Sequence, residues 1–563
     1  MNPNQKNGCV LAVQPKSKQI EYTMKADSNW QADVVVVGAG SAGAALAARL
    51  SENPKLQVML IEAGKPSRYP WLNIPIGYFK TVGHPQFDWG FQTDPEPEMA
   101  NRRLPWPRGK GLGGSSLING MLYLRGHRKD YDQWSTMGNS GWGWDEVLPY
   151  FQRAMHAEHP KGNADGQGGP LWISDLPKDP LSDAFIEAAG ACGIAPILDF
   201  NQGENQGAGY FRMNTRKGVR MSTGKAYLDP ARHRPNLRVV SGARALQVLS
   251  NGQRATGVKL DCDGVIRTVH ARHEVVLCSG AIQTPQLLQL SGIGPAELLG
   301  HHGIKVVRDL PGVGENLQDH LQVRPSYRCQ NVVTLNEIAN STWRSAFEFL
   351  RYQTTRQGAL RNGVYRAGAF FSAGQDADPD WPNAQIHFGL VSFDRPHQPP
   401  HRFPGITLSA CILRPHSRGR IAIASSDPLH APSIHAGYLS AEEDRKLAID
   451  LVRKMRDIAK AQPLSRFIVE EHEPGLAQQS DAEILDWVRR RAGSIFHPVG
   501  TCAMGQASDP MAVVDARLRV HGLAGLRVVD GSVMPRIVSG NTNAPIIMLA
   551  ERAADLIQED LQA

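Results

Sequence analysis

The chain has 563 residues, of which 41% are hydrophobic and 20% charged, the composition of an ordinary globular protein. Its length exceeds what one hydrophobic core usually serves and favours two domains, while no apolar run approaches the roughly 20 residues of a membrane helix. The net charge of +7 comes from 61 basic and 54 acidic residues mixed along the chain, which argues against a nucleic-acid partner and leaves open only a peripheral attraction to anionic membranes.

The N-terminal segment 1–31 is polar and contains several lysines, and its apolar patch at residues 9–13 is too short for a signal peptide. We expect a disordered extension. The seven cysteines are scattered, odd in number and without a Cys-x-x-Cys pair, so the sequence indicates neither a disulfide framework nor a metal site. A reducing compartment follows, and we expect a cytoplasmic protein, with peripheral contact at the inner membrane left open.

The first predicted element is an apolar strand that begins at Asp33 and ends in a glycine turn. In such a turn the first glycine, Gly38, permits the tight bend, and the second, Gly40, lets a pyrophosphate approach the backbone. The third, Gly43, lets the following helix pack closely on the strand. The N-terminus of that helix offers free N–H groups and the positive end of its dipole to the phosphates.

A second predicted strand ends at Glu62, about twenty residues after the last glycine, where a carboxylate binds both ribose hydroxyls. The order strand, glycine turn, helix, strand and acid predicts a bound dinucleotide. At this point either NAD or FAD fits the pattern. The expected cofactor contacts from this unit are Gly38, Gly40, Ser41, Ala42, Gly43, Glu62 and Ala63.

A stretch rich in proline and aromatic residues follows at residues 66–106 and lacks periodicity, which is typical of a functional segment. Arg489, Arg490 and Arg491 follow an apolar helical pattern and predict the solvated end of a helix. Further strands are predicted at residues 237–240, 257–261 and 275–278.

The middle of the chain, residues 329–469, has a different hydrophobic pattern from the residues before it. It mixes alternating apolar runs such as residues 385–393 with helical stretches, and we assign it to a second domain that covers the cofactor. Near the C-terminus, residues 526–530 predict a strand and residues 545–561 a helix with a proline in its first turn. Asn543 is the expected N-cap of that helix.

A second glycine cluster occupies residues 109–123 and ends in a predicted helix. Gly113 and Gly114 let the main chain lie against a flat ring or a phosphate, while Ser115 and Asn119 offer hydrogen bonds. The alternative interpretation is a tight loop with a helix cap.

Together with residues 280–294, this cluster closely resembles the two signature motifs of the glucose–methanol–choline (GMC) oxidoreductase family. Four more segments match family blocks in family order, namely residues 311–320, 413–419, 497–505 and 541–545. The resemblance covers nearly the whole chain, from residue 33 to residue 556. It implies an FAD flavoprotein of the α/β class (α+β overall), with a Rossmann-like FAD-binding domain and a discontinuous substrate domain built on an antiparallel sheet.

The resemblance also divides the chain. Residues 1–31 remain the extension, and residues 32–328 are mainly the FAD-binding domain, with some substrate-domain segments at about 150–215. Residues 329–490 are mainly the substrate-binding domain. Residues 491–563 return to the FAD-binding domain and carry the catalytic residues.

The family pattern assigns further cofactor contacts. Glu62 matches the residue that binds the adenosine ribose, and Ala245 a main-chain contact at the adenine end. The expected contacts to the pyrophosphate and the isoalloxazine are Gly114, Ser115, Asn119, Gly120, Met121 and Leu122. Asp530 and Gly531 match a contact near the ribityl chain, and Asn543 one near the flavin pyrimidine. Some members attach the flavin through a histidine beside the asparagine of the first signature; Ile118 stands there, so noncovalent FAD is expected.

Oxidation of an alcohol removes a hydroxyl proton and transfers a hydride from the carbon, and a base that titrates near neutrality suits the first task. His497 precedes a proline and a Gly-Thr-Cys turn, and in the family pattern it matches the active-site histidine. Asn541 stands where the family has either His or Asn. The resemblance implies that His497 accepts the hydroxyl proton, Asn541 orients the alkoxide and hydride passes to flavin N5.

The run 113–126 resembles the branch of choline dehydrogenases and bacterial primary-alcohol dehydrogenases. We favour a broader primary alcohol, aliphatic or aromatic, that is oxidised to an aldehyde, with electrons passed to a quinone, a cytochrome or oxygen rather than to NAD. An oxygen-reducing oxidase, choline dehydrogenase proper, a lyase or photodecarboxylase on the same fold and a non-catalytic nucleotide-binding protein are the alternatives. A quaternary ammonium needs an aromatic or acidic cage, for which the candidates are Trp71, Tyr78, Phe79, Phe87, Trp89 and Phe91.

Overall fold

The computed structural model describes residues 30–374, 377–394 and 398–562. Trp30 and Gln31, which we expected in the N-terminal extension, instead open the first strand. They do so because they pair with Val269 and His270 of a long neighbouring strand. The rest of the expected extension, residues 1–29, lies outside the described residues.

The described residues form both helices and strands along their whole length. The α-helices are α1 (Ser41–Leu50), α2 (Tyr78–Thr81), α3 (Arg128–Thr136), α4 (Trp144–Ala154), α5 (Pro180–Ala191), α6 (Asp229–Ala231), α7 (Gly280–Leu290), α8 (Ala296–His301), α9 (Leu335–Ala339), α10 (Thr342–Thr355), α11 (Glu442–Lys460), α12 (Asp481–Arg491) and α13 (Asn543–Gln562). The strands are β1 (Trp30–Val37), β2 (Val58–Glu62), β3 (Phe91–Gln92), β4 (Pro105–Trp106), β5 (Leu122–Tyr123), β6 (Met155–Ala157), β7 (Leu171–Asp175), β8 (Gly207–Tyr210), β9 (Arg212–Met213), β10 (Thr215–Arg216), β11 (Val219–Arg220), β12 (Leu237–Ser241), β13 (Ala243–Ser250), β14 (Ala255–Cys262), β15 (Val265–Leu277), β16 (Ile293–Gly294), β17 (Arg308–Asp309), β18 (Leu321–Val323), β19 (Ser326–Cys329), β20 (Tyr365–Phe371), β21 (Ala384–Gly389), β22 (Gly405–Ile412), β23 (Arg420–Ala422), β24 (Ser433–His435), β25 (Ile468–Glu473), β26 (Gly493–Ser494) and β27 (Leu526–Val528).

The first of two large sheets is mixed and has the strand order β12, β2, β1, β15, β14, β13, with β27 alongside β15. Strands β12, β2, β1, β15 and β27 run parallel, whereas β14 runs antiparallel to both of its neighbours, β15 and β13. Residues 34–37 of β1 and 58–61 of β2 are all apolar because these central strands are buried on both faces. Helix α1 follows β1 directly and packs on α13, so the two ends of the chain meet over this sheet. The arrangement is the Rossmann-like fold that the family resemblance implied.

The second large sheet is antiparallel, with the order β25, β19, β22, β21, β20, β8; β18 joins it by pairing with β22, and β26 joins it by pairing with β18. Helices α5 and α11 pack on it. The predicted alternating strand at residues 385–393 corresponds to β21, which is buried along its whole length because it lies in the middle of the sheet. The expected boundary between residues 328 and 329 falls at the last residue of β19, and the domain boundaries stay a prediction.

Most short-range predictions are confirmed. The strands expected at 237–240, 257–261 and 275–278 correspond to β12, β14 and the end of β15. The arginine cluster ends α12, where Arg489, Arg490 and Arg491 pair with Glu98, Asp486 and Glu473 respectively. Across the described ranges, no helix combines the length and the apolar character that crossing a bilayer requires.

Candidate active site

The glycine turn after β1 uses its three glycines for three different purposes. Gly38 has φ +100°, and a Cβ atom there would lie 2.6 Å from the Cys278 carbonyl oxygen. A Cβ at Gly43 would lie 1.9 Å from the Gly38 carbonyl oxygen, so only glycine lets α1 approach the turn. A Cβ at Gly40 would meet only that same Cys278 oxygen, at 4.0 Å, and would otherwise project into open space. Gly40 therefore faces a cavity, as the interpretation as a phosphate-binding turn predicts.

Glu62, at the end of β2, ties three loops together. Its Oε2 atom accepts a hydrogen bond from the Ala39 amide at 2.9 Å, and its Oε1 atom accepts from the Gly64 and Gly111 amides at 2.7 and 3.0 Å. Burial raises the pKa of this carboxyl, and the backbone N–H donors oppose the shift. The carboxylate is thereby held at the edge of the cavity that Gly40 faces.

The second glycine cluster lies directly against the first. The Gly113 amide donates to the Ala39 carbonyl at 2.7 Å, and a Cβ at Gly114 would lie 2.6 Å from the Gly40 Cα. Gly114 adopts φ +50°, which glycine tolerates. The two turns therefore build one wall, from residues that are about seventy positions apart in the sequence.

The helix predicted after this cluster is wrong; the chain makes a single 3₁₀ turn, Gly114–Leu117. Arg220 donates to the carbonyls of Ser116 and Asn119 at 3.2 and 2.7 Å, and Met121 adopts φ +63°. A continuing helix needs such carbonyl oxygens for its own amides and does not admit a positive φ. Arg220 also donates to the Asn119 side chain at 2.8 Å, which fixes that residue at the cavity wall.

Two adjoining cavities hold nearly every predicted cofactor contact. The first, which we call the glycine cavity, is lined by Gly38, Gly40, Ser41, Ala42, Glu62, Ala63, Gly114, Ser115, Ala245, Asp530 and Gly531. The second, the histidine cavity, is lined by Ser41, Ser115, Asn119, Gly120, Met121, Leu122, His497, Asn541 and Asn543. Ser41, Arg108, Ser115 and Ile546 line both. Gly43 lines neither, in keeping with its packing role.

The two cavities form a continuous cleft that fits an elongated dinucleotide. One end of the cleft contains the bare backbone of Gly40, the N-terminus of α1 and the buried carboxyl group of Glu62. Helix α1 has no acidic residue in its first turn, so nothing there repels phosphate. In the wall of the glycine cavity, Asp530 accepts from the Gly280 amide and the Thr284 hydroxyl at 2.8 and 2.6 Å, which anchors α7 beside the cleft.

Asn543 does not cap α13 as predicted. It is the first residue of the helix, and its Oδ1 atom accepts a hydrogen bond from the Ser41 hydroxyl at 2.7 Å. The side chain is thereby turned toward the first residue of α1 and lines the histidine cavity. The contact joins the starts of the first and last helices at the cleft.

His497 and Asn541 meet in the histidine cavity. The Nε2 atom of His497 lies 3.1 Å from the Asn541 Nδ2 atom, and its Nδ1 atom lies 3.0 Å from the His320 Nδ1 atom. The His497 amide donates to the Asp319 carboxylate at 2.7 Å, and that carboxylate also accepts from the Ser494 hydroxyl at 2.5 Å. The backbone and both ring nitrogens of His497 are therefore fixed.

The hydrogen-bond chain determines where the protons of these rings reside. His320 Nε2 lies 3.0 Å from the Leu413 carbonyl oxygen, which only accepts, so Nε2 carries the hydrogen. Neutral His320 then has a lone pair on Nδ1 and accepts from His497 Nδ1–H. His497 Nε2 is left with a free lone pair that accepts from Asn541. An unprotonated nitrogen therefore faces the cavity.

Burial keeps these rings neutral. It lowers the pKa of His497 well below 6.5, an effect to which neighbouring His320, His387 and Arg108 add. Burial likewise lowers the pKa of His320 to about 3 and that of His387 to about 4. At neutral pH His497 thus stands ready to accept a proton.

Several residues of the histidine cavity were not among the predicted site residues. His387 of β21 lies with Nε2 3.5 Å from the Asn541 Oδ1 atom, and Gln322 and Arg324 reach the cavity from the edge of β18. His320 ended a motif noted in the sequence, and His387 stood in the alternating run 385–393. Their histidine side chains were the available signal, but the pairing of distant strands brings them together.

The aromatic residues proposed as an ammonium cage are dispersed. Tyr78 and Phe79 line the histidine cavity, whereas Trp89 lines the glycine cavity and stacks on Phe91 with ring centroids 6.0 Å apart. Phe87 stacks on Tyr69 at 5.3 Å and Trp71 packs on Phe349 at 6.2 Å. The other rings of the histidine cavity come from later in the chain, namely Tyr365, Phe393 and Phe496.

Comparison with known proteins identifies the family. Two models, both described as GMC oxidoreductase, match residues 32–322 and 415–550. The oxygen-dependent choline dehydrogenase of Vibrio vulnificus (strain YJ016) is 41% identical over 529 residues, which cover 93% of this chain and 94% of that protein. Pyridoxine 4-oxidase from Mesorbium loti superposes with a TM-score of 0.85 at 32% identity, over 94% of this chain and 99% of the other. A fungal aryl-alcohol oxidase superposes with a TM-score of 0.83 at 26% identity, over 94% and 99%.

Proposed function

Since the chain belongs to the GMC oxidoreductase family and is an FAD-dependent oxidoreductase of CH–OH donors, we propose that it oxidises a primary alcohol to an aldehyde with His497 as the base. The observation that carries this proposal is the lone pair of His497 Nε2 beside the Asn541 amide. A base and a hydrogen-bond donor 3.1 Å apart suit one hydroxyl group, because its oxygen accepts while its hydrogen is donated.

His497 and Asn541 have different roles toward the substrate hydroxyl group. A substrate hydroxyl inserted between them accepts from the Asn541 Nδ2–H and donates to His497 Nε2, which replaces the direct hydrogen bond between the two side chains. His497 then takes the proton, and the Asn541 amide stabilises the negative charge that develops on the substrate oxygen. When bound, FAD supplies the oxidant that accepts the hydride from the carbinol carbon.

The residues around His497 hold it in the productive tautomer. His320 accepts from Nδ1–H throughout, so the proton from the substrate is held at Nε2. Asp319 fixes the backbone at His497, and the buried ring is held in one orientation toward the cavity. We further propose that Gly40 and α1 bind the pyrophosphate, that Glu62 binds the adenosine ribose and that the remaining predicted contacts hold the flavin.

The test is anaerobic reduction of the purified yellow protein by a panel of alcohols. Primary aliphatic and benzylic alcohols should bleach the flavin absorbance, whereas matched tertiary alcohols, which lack a carbinol hydrogen, should not. Retained absorbance with every primary alcohol would contradict the proposal and favour a lyase. The electron acceptor is identified in the same preparation. Peroxide formation in air is compared with the rate of turnover when a quinone, a cytochrome or an artificial dye is added as the acceptor.

Choline is the second candidate substrate. Relatives that are 40–41% identical are named choline dehydrogenases, and aromatic rings such as Tyr78, Tyr365 and Phe496 line the cavity where a quaternary ammonium would bind. Arg108 and Arg324 in the same wall oppose a cation, however. We therefore rank choline below an alcohol without positive charge, and the panel includes it.

We propose that the FAD is bound without a covalent link. Ile118, which lines the histidine cavity next to Asn119, has no nucleophilic atom. Acid precipitation of the holoenzyme should therefore release all of the yellow colour into the supernatant, with the spectrum of free FAD. Colour that remains on the precipitated protein, traced to a flavin-linked peptide, would contradict this.

The six free cysteines of the described ranges support the cytoplasmic location expected from the sequence.

A further inference from the structure

The charges around the histidine cavity are one-sided. Among its lining residues in the described ranges there is no aspartate or glutamate, but there are two arginines, Arg108 and Arg324. The histidines of the cavity are neutral at neutral pH because burial lowers the pKa of each. The cavity wall is therefore positive, and the two guanidinium groups decide which substrates it favours.

Arg108 is already engaged by the protein. Its Nε atom donates to the Pro107 carbonyl and its Nη2 atom to the Phe496 carbonyl, both at 2.5 Å. Asp88 and Asp319 lie near enough to oppose the fall in its pKa that burial causes. Arg108 thus has carboxylates and carbonyls of its own, and it lies where the two cavities join.

Arg324 is not engaged in this way. Its Nε atom donates to the Gln322 side chain, but its terminal Nη atoms make no hydrogen bond or ion pair with the described part of the chain. Burial lowers the pKa of Arg324, and the Tyr365 phenol opposes the shift only in part. A guanidinium nevertheless stays protonated in proteins. Two N–H groups of a positively charged side chain therefore stand in the cavity wall without a partner among the residues that the structure describes.

The position of Arg324 suits contact with a substrate held at His497. Arg324 and His387 line the same cavity, and β18, which Arg324 directly follows, and β21, which contains His387, both pair with β22. His387 in turn lies 3.5 Å from Asn541, which contacts His497. The guanidinium and the base therefore line one cavity, and a small molecule with two functional groups that fills this cavity meets both.

We propose that Arg324 binds the carboxylate of the substrate and that the preferred substrates are primary alcohols that carry a carboxylate, above all hydroxymethyl-substituted aromatic acids. The assignment rests on the proposed alcohol oxidation at His497. The terminal N–H groups of a guanidinium match the two oxygens of a carboxylate in a bidentate pair. Because Arg108 is already occupied by carbonyls and neighbouring carboxylates, the one guanidinium that is left balances one carboxylate, whereas a phosphate dianion would leave a negative charge buried. The aromatic rings Tyr78, Phe79 and Tyr365 favour a planar ring between the two functional groups.

The experiment compares three benzylic alcohols that differ in the para substituent, a carboxylate, a methyl group or a trimethylammonium group. With the holoenzyme under anaerobic conditions, the second-order rate constant of flavin bleaching should be at least about 30-fold larger for the carboxylate than for the methyl compound. The trimethylammonium compound should be the poorest of the three. In Arg324→Gln the ratio of carboxylate to methyl should fall to about one, and in Arg324→Glu the trimethylammonium compound should become the best of the three.

The matched control is Arg328→Gln. Arg328 is an exposed arginine of β19, its side chain is 51% exposed, and it pairs with Glu470 outside the cavity. This variant should keep the wild-type preference. A wild-type enzyme without preference for the carboxylate, or an Arg324→Gln variant that keeps the preference, overturns the assignment.

A binding measurement separates this inference from the proposed reaction. para-Methylbenzoate has the carboxylate but no hydroxyl group, and it should perturb the flavin spectrum of the wild-type holoenzyme with an affinity that Arg324→Gln reduces by about 30-fold. Binding of this compound without oxidation of any alcohol would support the role of Arg324 and contradict the proposed reaction. Oxidation of alcohols without binding of para-methylbenzoate would support the proposed reaction and contradict the role of Arg324.

Discussion

Replacement of His497 by alanine is expected to slow anaerobic flavin reduction by the best primary alcohol by about 10³-fold. The reason is which ring nitrogens of His320 and His497 carry a hydrogen. His320 accepts from His497 Nδ1, so Nε2 offers the unprotonated lone pair to the cavity, and the variant loses it. Stopped-flow absorbance of the flavin measures the effect directly. The flavin content should stay at the wild-type level, because His497 contacts His320, Asn541 and Asp319 rather than the glycine cavity.

The pH dependence of the wild-type enzyme provides a second readout of the same residue. Burial lowers the pKa of His497 below 6.5, so the base form persists as the pH falls through that value. kcat/KM for an uncharged alcohol should therefore be constant from neutrality through pH 6.5 and decline only well below it. An acid limb centred at or above 6.5 would show that His497 is more easily protonated than its surroundings imply.

A histidine outside the cleft controls for the substitution itself. His156 stacks on Trp172 with ring centroids 4.0 Å apart and lines neither cavity. His156→Ala should therefore reduce flavin at the wild-type rate. If His497→Ala loses less than about tenfold, the proposed base is wrong, because general bases commonly contribute at least 10²-fold.

The geometry of the glycine cavity could be predicted because its signals are local, while its role as the cofactor site stays a proposal. Gly38, Gly40 and Gly43 lie within six positions, and each requirement follows from one turn between one strand and one helix. The structure adds what a single segment does not contain. Gly114 packs on Gly40, and Glu62 accepts from the Gly111 amide, so the second glycine cluster completes the wall that the first begins.

The substrate end was predicted less completely because its residues meet through strand register. Gln322 of β18 pairs with Cys411 of β22, which pairs in turn with Gln385 of β21, two positions before His387. Nothing in the sequence near Arg324 indicates that His387 will line the same cavity. His497 and Asn541 were found only because the family motifs name them, and their mutual contact depends on the same tertiary arrangement.

Two local predictions failed for an equally non-local reason. The segment after Gly114 has helix-compatible residues, but Arg220, about a hundred positions later, takes carbonyls that a helix would use. Asn543 has the side chain of an N-cap, but the Ser41 hydroxyl, at the opposite end of the chain, donates to it instead. In both cases a distant hydrogen-bond donor outweighs a local preference.

Replacement of Gly40 by valine is expected to give a folded protein that contains almost no flavin. A Cβ at this position would meet no atom closer than the Cys278 oxygen at 4.0 Å, and the residue has φ −73°, which valine adopts readily. The side chain would instead project into the glycine cavity, where the pyrophosphate is proposed to contact the backbone. We expect FAD occupancy below about a tenth of the wild-type value at equal FAD, which corresponds to at least about 1.4 kcal/mol of lost binding.

Gly300→Val is the matched control, since a Cβ at Gly300 in α8 also meets nothing within 4 Å but lies outside the cleft. The absorbance ratio of flavin to protein and the rise in Tm with added FAD measure occupancy in both variants. The wild type and Gly300→Val should be stabilised by FAD and Gly40→Val should not, because only a ligand that binds the folded state raises its stability. Gly43→Val could not make this distinction, because its Cβ would lie 1.9 Å from the Gly38 carbonyl oxygen and disturb the fold itself. A fully yellow Gly40→Val protein would mean that the cofactor phosphates do not approach the first turn, and the roles proposed for Glu62 and α1 would fail with it.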